Sequence, residues 1–132
     1  MEMNHGNENK LIIFVTELIG TLLLSLSLNL AWTQNNIVTA YSEATGIVVY
    51  SPNIYNLYMM AGVCLYSLFY IFSPISGGHF NPAVTIAVYI SLAFNATNIV
   101  LLFITITAQL AGALLGMVLS RGLRITTATT PA

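Results

Sequence analysis

The chain has 132 residues, of which 57% are apolar and 5% are charged, and its mean hydropathy is +0.83. Ordinary soluble domains carry about 25% charged residues, so this composition excludes a soluble fold and predicts an integral membrane protein in contact with the lipid bilayer. The net charge of −1 leaves no basic patch for phosphate groups, and we expect no nucleic-acid partner.

The first predicted membrane span covers residues 11–32 and follows a polar N-terminal tail, residues 1–10. Its only charged side chain is Glu17. At a rise of about 1.5 Å per residue the run would extend about 33 Å, enough to cross the hydrocarbon core. A secretory signal peptide is the alternative, but the preceding residues are acidic and the apolar run is too long. The next stretch, Thr33 to Asn53, is polar and rich in turn residues, so it is predicted to be an external loop.

Two further spans are predicted at residues 55–72 and 98–120. The 55–72 span has tyrosines near both ends, where aromatic rings favour the lipid headgroups. The 98–120 span is followed at once by Arg121, the first residue of a polar C-terminal tail, residues 121–132. Small residues recur at every fourth position of this last span, a spacing that allows another helix to approach closely. They are Ala108, Gly112, Gly116 and Ser120.

Residues 74–92 are apolar but too short and too interrupted to cross the membrane and return, which predicts a re-entrant segment. Asn81 is a favoured N-cap and Pro82 suits the first helical position, so a helix should begin at Asn81 and run to Leu92. Such a helix is about 18 Å long, a little over half of the hydrocarbon thickness. It can reach the middle of the membrane but cannot cross it.

The N-terminus of this half-helix has a distinctive chemistry. Gly77 and Gly78 allow non-helical backbone before the helix, whose carbonyl groups can face a narrow pathway. The helix start would carry about half a positive charge near the middle of the bilayer. Cations would be repelled there, while the Asn81 amide could hold a neutral water molecule.

The segment from Ser76 to Thr85 reads Ser-Gly-Gly-His-Phe-Asn-Pro-Ala-Val-Thr and closely resembles the first signature of the aquaporin and glycerol-facilitator family. Glu17–Thr21 resembles the first-helix motif of that family, and Ala108–Ala113 resembles its third-helix motif. The resemblance covers residues 11–120. It implies an all-α membrane protein, an aquaporin-like half-repeat of three transmembrane helices plus one re-entrant half-helix. It also implies passive passage of water or small neutral solutes such as glycerol.

The resemblance further assigns roles to individual residues. Those expected to line the pore or contact the solute are Gly77, Gly78, His79, Asn81, Pro82, Ala83 and Ala61. Those expected to support the structure are Glu17, Gln109, Gly112 and Gly116. Ala61 occupies the position of the family's outer constriction, where a small side chain would admit solutes larger than water.

The polar residues within the spans need partners. A carboxylate deep in a span costs about 2.5 to 3.5 kcal/mol, so Glu17 is expected to accept hydrogen bonds from the re-entrant backbone. The alternative is a glutamate close enough to the interface to reach water. Gln109, at the centre of its span, is expected to bond to the half-helix, and an ordinary hydrogen bond between two spans is equally open.

No enzyme activity and no cofactor are expected, because the sequence offers no nucleophile and base pair, metal cluster or phosphate loop. His79 is not expected to bind a metal, since the other histidine, His5, lies in the polar tail. Cys64 is the one cysteine, so neither a disulfide nor a thiolate metal site is expected.

Members of the family contain two inverted copies of this three-span unit, whereas the sequence here carries one. We therefore expect an incomplete pore. Three explanations are open: a fragment of a longer channel, a chain completed by a second half or by another copy in a homo-oligomer (a tetramer, by resemblance), and a non-conducting protein that associates with full-length channels. In the last case the small-residue stripe would bind other membrane helices. The family topology would place the re-entrant segment on the cytoplasmic side of the plasma membrane or of an internal membrane.

Overall fold

The computed structural model describes residues 7–45, 53–92 and 95–128, with side chains described over 9–32, 57–92 and 95–123. These parts of the chain form four α-helices and no β-strand. In chain order the helices are α1 (Asn7–Thr45), α2 (Asn53–Ser76), α3 (Pro82–Ser91) and α4 (Ala96–Ala128).

Three of the helices in the described part of the chain are long and apolar enough to cross a membrane. The spans are Asn9–Trp32 in α1, Leu57–Ser76 in α2 and Ala96–Leu123 in α4. The apolar helix α3 has 10 residues, which corresponds to about 15 Å or half of the hydrocarbon core. The predicted fold class, three transmembrane helices plus one half-helix, is confirmed, and the chain is a multi-pass integral membrane protein.

Helix α1 continues well beyond its apolar run. The prediction of a loop over residues 33–53 is wrong for residues 33–45, which are helical, while residues 46–52 lie outside the described part of the chain. The stretch 33–45 contains neither glycine nor proline, and Gly46 is the first residue that favours a helix end. The fall in hydropathy after Trp32 marks where the helix leaves the lipid and does not mark where it ends.

Helices α2 and α4 also exceed their predicted spans. α2 carries Pro74 in its last turn and ends at Ser76, so the non-helical part of the re-entrant segment is confined to residues 77–81. α4 passes Ser120 without a break and ends at Ala128, so most of the predicted polar tail continues the helix.

The small-residue stripe of α4 is used within the chain. Ala108 and Ser120 are fully buried, and the two glycines between them lie against the backbone of α1. A Cβ added at Gly112 would overlap the carbonyl oxygen of Leu18, and one added at Gly116 would lie 2.9 Å from the backbone nitrogen of Leu26. Helices α1 and α4 therefore run parallel and touch backbone to backbone. The hypothesis that this stripe binds other membrane helices is wrong, because α1 already covers it.

Helix α1 is central to the described part of the chain: it packs against both α4 and α2, while α3 packs along α4 alone. α2 has few buried side chains. Its tyrosines at positions 58, 66 and 70 are 67%, 70% and 75% exposed. One side of α2 and the start of α3 thus border an open face, at which the re-entrant segment lies.

Candidate functional site

The re-entrant segment turns sharply between α2 and α3. Gly77 and Gly78 have φ values of 94° and 64°, in the left-handed region that glycine tolerates, and Phe80 has a φ of 45°. The turn delivers Asn81 in extended conformation, with φ −150° and ψ 123°, as the N-cap of α3. Its Oδ1 accepts a hydrogen bond from the Ala83 N–H at 2.9 Å, directly after Pro82 at the first helical position. The predicted helix start at Asn81 is therefore confirmed.

Glu17 of α1 binds the turn from behind. Its carboxylate is fully buried. Oε1 accepts hydrogen bonds from the Ser76 hydroxyl at 2.7 Å and the His79 N–H at 3.0 Å. Oε2 accepts from the Phe80 N–H at 2.9 Å and from Gln109 Nε2 at 2.8 Å. Four donors thus surround the charge, as burial of a carboxylate requires, and the alternative of a glutamate that reaches interfacial water does not apply.

Gln109 of α4 connects this carboxylate to the half-helix. Its Nε2 also donates to Thr85 Oγ1 at 2.8 Å, and Thr85 in turn hydrogen-bonds the Asn81 carbonyl oxygen at 3.1 Å. The expected link between α4 and α3 is therefore present, together with a link to α1. Gln109 lies near the middle of the Ala96–Leu123 span, so the turn and the start of α3 are level with the middle of that span.

Sequence reasoning missed Thr85 and Ser76 as members of this network. Thr85 is fully buried and Ser76 also accepts the Gly78 N–H through its hydroxyl at 3.2 Å. The available signal for Thr85 was its place as the first polar residue after Asn81 on an otherwise apolar helix turn.

Six of the residues predicted to line the pore lie in or next to the re-entrant turn, and the seventh, Ala61, lies on α2. Gly77, Asn81 and Ala83 are exposed at the open face, Pro82 and His79 are half-buried, and Gly78 is buried. The ring of His79 packs edge-on against Tyr89, with centroids 6.1 Å apart, and its Nδ1 lies 3.3 Å from Thr85 Oγ1.

No group of three or more potential metal-ligating side chains occurs among the described residues.

Ala61 lies apart from the turn, on α2 about 22 Å along the helix from Ser76. It is half-buried and borders an open depression of about 390 Å³ between α1 and α2. The other residues around the depression are Leu28, Asn29, Trp32, Leu57 and Tyr58.

The open face offers a defined set of polar groups. The Oδ1 of Asn81 accepts a hydrogen bond from its own helix, and the residue is exposed. Asn81 is the N-cap of α3, and the N-terminus of this helix carries a partial positive charge. The open face therefore presents an exposed side-chain amide beside the positive end of a short helix.

Comparison with known proteins agrees with this architecture. Residues 6–130 match the family described as "Major intrinsic protein". The chain is 33% identical over 115 residues to "Aquaporin-2" of Botryotinia fuckeliana, an alignment that covers 84% of this chain and 30% of the relative. It is 32% identical over 125 residues to "Probable aquaporin-5" of Gibberella zeae, an alignment that covers 90% of this chain and 22% of the relative. It is 34% identical over 65 residues to human "Aquaporin-5", an alignment that covers 49% of this chain and 23% of the relative.

These alignments take in less than a third of each relative's length. No solved structure is significantly similar to the chain. Because the family match extends over nearly all of the sequence, the chain belongs to the major intrinsic protein family.

Proposed function

We propose that the chain forms one half of the wall of a channel that passes water or small neutral solutes, such as glycerol, and excludes ions. The observation that supports this proposal is the capped start of α3, which the buried Glu17 holds level with the middle of the α4 span. Non-helical backbone at that depth is stable only where protein buries it or where it borders a water-filled cavity. The exposed Asn81 and Gly77 favour the cavity.

Ion exclusion would follow from electrostatics. The N-terminus of α3 acts as roughly half a positive charge, and a medium of low dielectric constant screens it weakly. Among the residues whose side chains are described, the one carboxylate is that of Glu17, which lies behind the turn with both oxygens occupied by donors. A cation at the open face would therefore meet the positive end of the helix, whereas a water molecule could accept a hydrogen bond from Asn81.

The proposed pathway would need a second half-repeat to enclose it. Among the described helices α3 packs only on α4, and α2 packs only on α1, so one side of the proposed pathway has no protein wall. In the family an inverted copy of the same three-span unit provides this wall. We propose that a second half-repeat, either another chain or another copy in a homo-oligomer, completes the pore.

The size of the solute is suggested by Ala61. A methyl side chain next to a depression of about 390 Å³ leaves more room than an aromatic ring would. This supports glycerol-sized solutes in addition to water.

The test is transport in vesicles. The chain is expressed alone or together with the second three-span repeat of a full-length family member, and water and glycerol permeability are measured by stopped-flow light scattering. We expect permeability above that of protein-free vesicles, and its loss in Asn81→Asp, which places a negative charge at the helix start.

A matched control is available on α4. Asn95 also caps a helix, accepting the Asn98 N–H at 2.8 Å, but it lies next to the end of the span rather than at mid-depth. Asn95→Asp introduces the same charge at a helix N-terminus and should leave permeability unchanged. Absence of permeability in both expression arms, or equal permeability in Asn81→Asp and the parent, would contradict the proposal.

A further inference from the structure

We propose that Phe80 is a positioning residue whose ring, seated on Gly20 of α1, fixes the direction in which the chain enters Asn81 and α3. The effect on transport rests on the proposed function above, whereas the effect on the position of α3 does not.

The ring of Phe80 occupies the space of a side chain at position 20. A Cβ added at Gly20 would overlap ring atom Cε1 and would lie 2.6 Å from Cδ1 and 2.7 Å from Cζ. Phe80 is 3% exposed, and its ring also packs edge-on against Phe72, with centroids 6.1 Å apart and an interplanar angle of 79°. The aromatic ring is therefore held between α1 and α2, in a position that only glycine at residue 20 leaves free.

The backbone of Phe80 shows why this contact is needed. Its φ of 45° is uncommon for a residue with a side chain, and such conformations persist only where the surroundings impose them. The hydrogen bond from its N–H to Glu17 Oε2 fixes the nitrogen but leaves rotation about the N–Cα bond free. Seating the ring fixes Cβ as well, and nitrogen and Cβ together determine the direction of the bond that leads to Asn81.

Asn81 is the next residue, so any rotation at Phe80 moves the N-cap and the first turn of α3. Glu17 and the Gly20–Phe80 contact thus determine different features of the turn. The carboxylate sets the depth of the turn, and the ring sets its orientation toward the open face.

The test measures the position of α3 without requiring transport. In a Cys64→Ala background, which removes the one native cysteine, Ala83→Cys places a thiol on the exposed first turn of α3. The rate of its reaction with a small thiol reagent is compared in Gly20→Ala, Phe80→Leu and the double variant. Gly62→Ala serves as control, since a Cβ there would meet nothing within 4 Å.

We expect each single substitution to change the labelling rate severalfold, because Gly20→Ala displaces the ring and Phe80→Leu leaves the space beside Gly20 partly empty. The double variant roughly conserves the combined volume and should return toward the parent rate, as volume-conserving changes are tolerated best. Gly62→Ala should label like the parent. Should Gly20→Ala fail to accumulate in membranes, Phe80→Leu, which adds no atoms against α1, still decides.

Single variants that label at the parent rate, or a double variant whose effect is the plain sum of the two, would overturn the inference. A parent chain without permeability would contradict the proposed function but would leave this labelling result valid. Where permeability is present, it should fall in each single variant and recover in the double one.

Discussion

Gln109 of α4 and Thr85 of α3 are joined by a hydrogen bond of 2.8 Å between Nε2 and Oγ1, and neither side chain is more than 1% exposed. The same nitrogen donates to Glu17 Oε2 at 2.8 Å, so its two hydrogens connect three helices. Among the described helices α3 packs along α4 alone, so this bond is a buried polar link between the half-helix and the helix it packs on. This buried amide therefore contributes to the position of the half-helix, together with the contacts that hold the preceding turn.

Replacement of this amide should loosen the half-helix. Gln109→Leu keeps a similar volume but deprives the Glu17 carboxylate and the Thr85 hydroxyl of a donor. Each of these buried groups loses one hydrogen bond and keeps its others, at a cost of about 1–3 kcal/mol, so we expect a lower unfolding midpoint. The midpoint is measured in detergent from the loss of the helical circular dichroism signal. Leu110→Ala, on the exposed side of the same turn, is the control, and an equal shift in both variants would speak against the buried network.

Glu17 should tolerate even a neutral isostere poorly. In Glu17→Gln one carboxylate oxygen becomes an NH₂ group, which cannot accept either of the two hydrogen bonds that this oxygen receives. Hydrogen bonds to charged groups contribute about 1.5–3 kcal/mol each, so the loss should amount to roughly 3 kcal/mol or more. We expect little folded protein in the membrane fraction and a strongly lowered unfolding midpoint.

The control for this change is Ile19→Val, on an exposed position of the same helix. It should leave both the yield and the unfolding midpoint close to those of the parent. Normal yield and stability of Glu17→Gln would show that the turn is held by its own geometry rather than by the carboxylate.

Local chemistry explains which features could be predicted from the sequence. The start of α3 follows from Asn81 and Pro82, which act within one helical turn. The need of Glu17 for donors follows from the cost of a charge within an apolar span. Both statements require no knowledge of which helices are neighbours.

The remaining features depend on contacts between distant parts of the chain. Ser76 and Gln109 meet Glu17 across 59 and 92 residues of sequence, and no local pattern identifies them as its partners. The fit between Phe80 and Gly20 is of the same kind. The stripe on α4 could be recognised by its spacing, but the spacing does not say whether the helix that covers it belongs to the same chain.

The contact between α1 and α4 can be tested with two glycines of one helix. At Gly112 a Cβ would overlap the carbonyl oxygen of Leu18 and lie 3.1 Å from the backbone nitrogen of Leu22, and backbone atoms of a packed helix cannot move aside cheaply. Gly112→Ala should therefore lower stability by about 1–3 kcal/mol, the usual cost of overpacking.

Gly122→Ala makes the same chemical change on α4 where a Cβ would meet nothing within 4 Å. Since alanine restricts the unfolded chain and favours the helix, this variant should be neutral or more stable by about 0.4–1 kcal/mol. The two unfolding midpoints in detergent should consequently shift in opposite directions, or at least differ clearly. If Gly112→Ala were as stable as Gly122→Ala, α1 and α4 could not be in backbone contact, and α1 would not hold Glu17 close enough to bind the re-entrant turn.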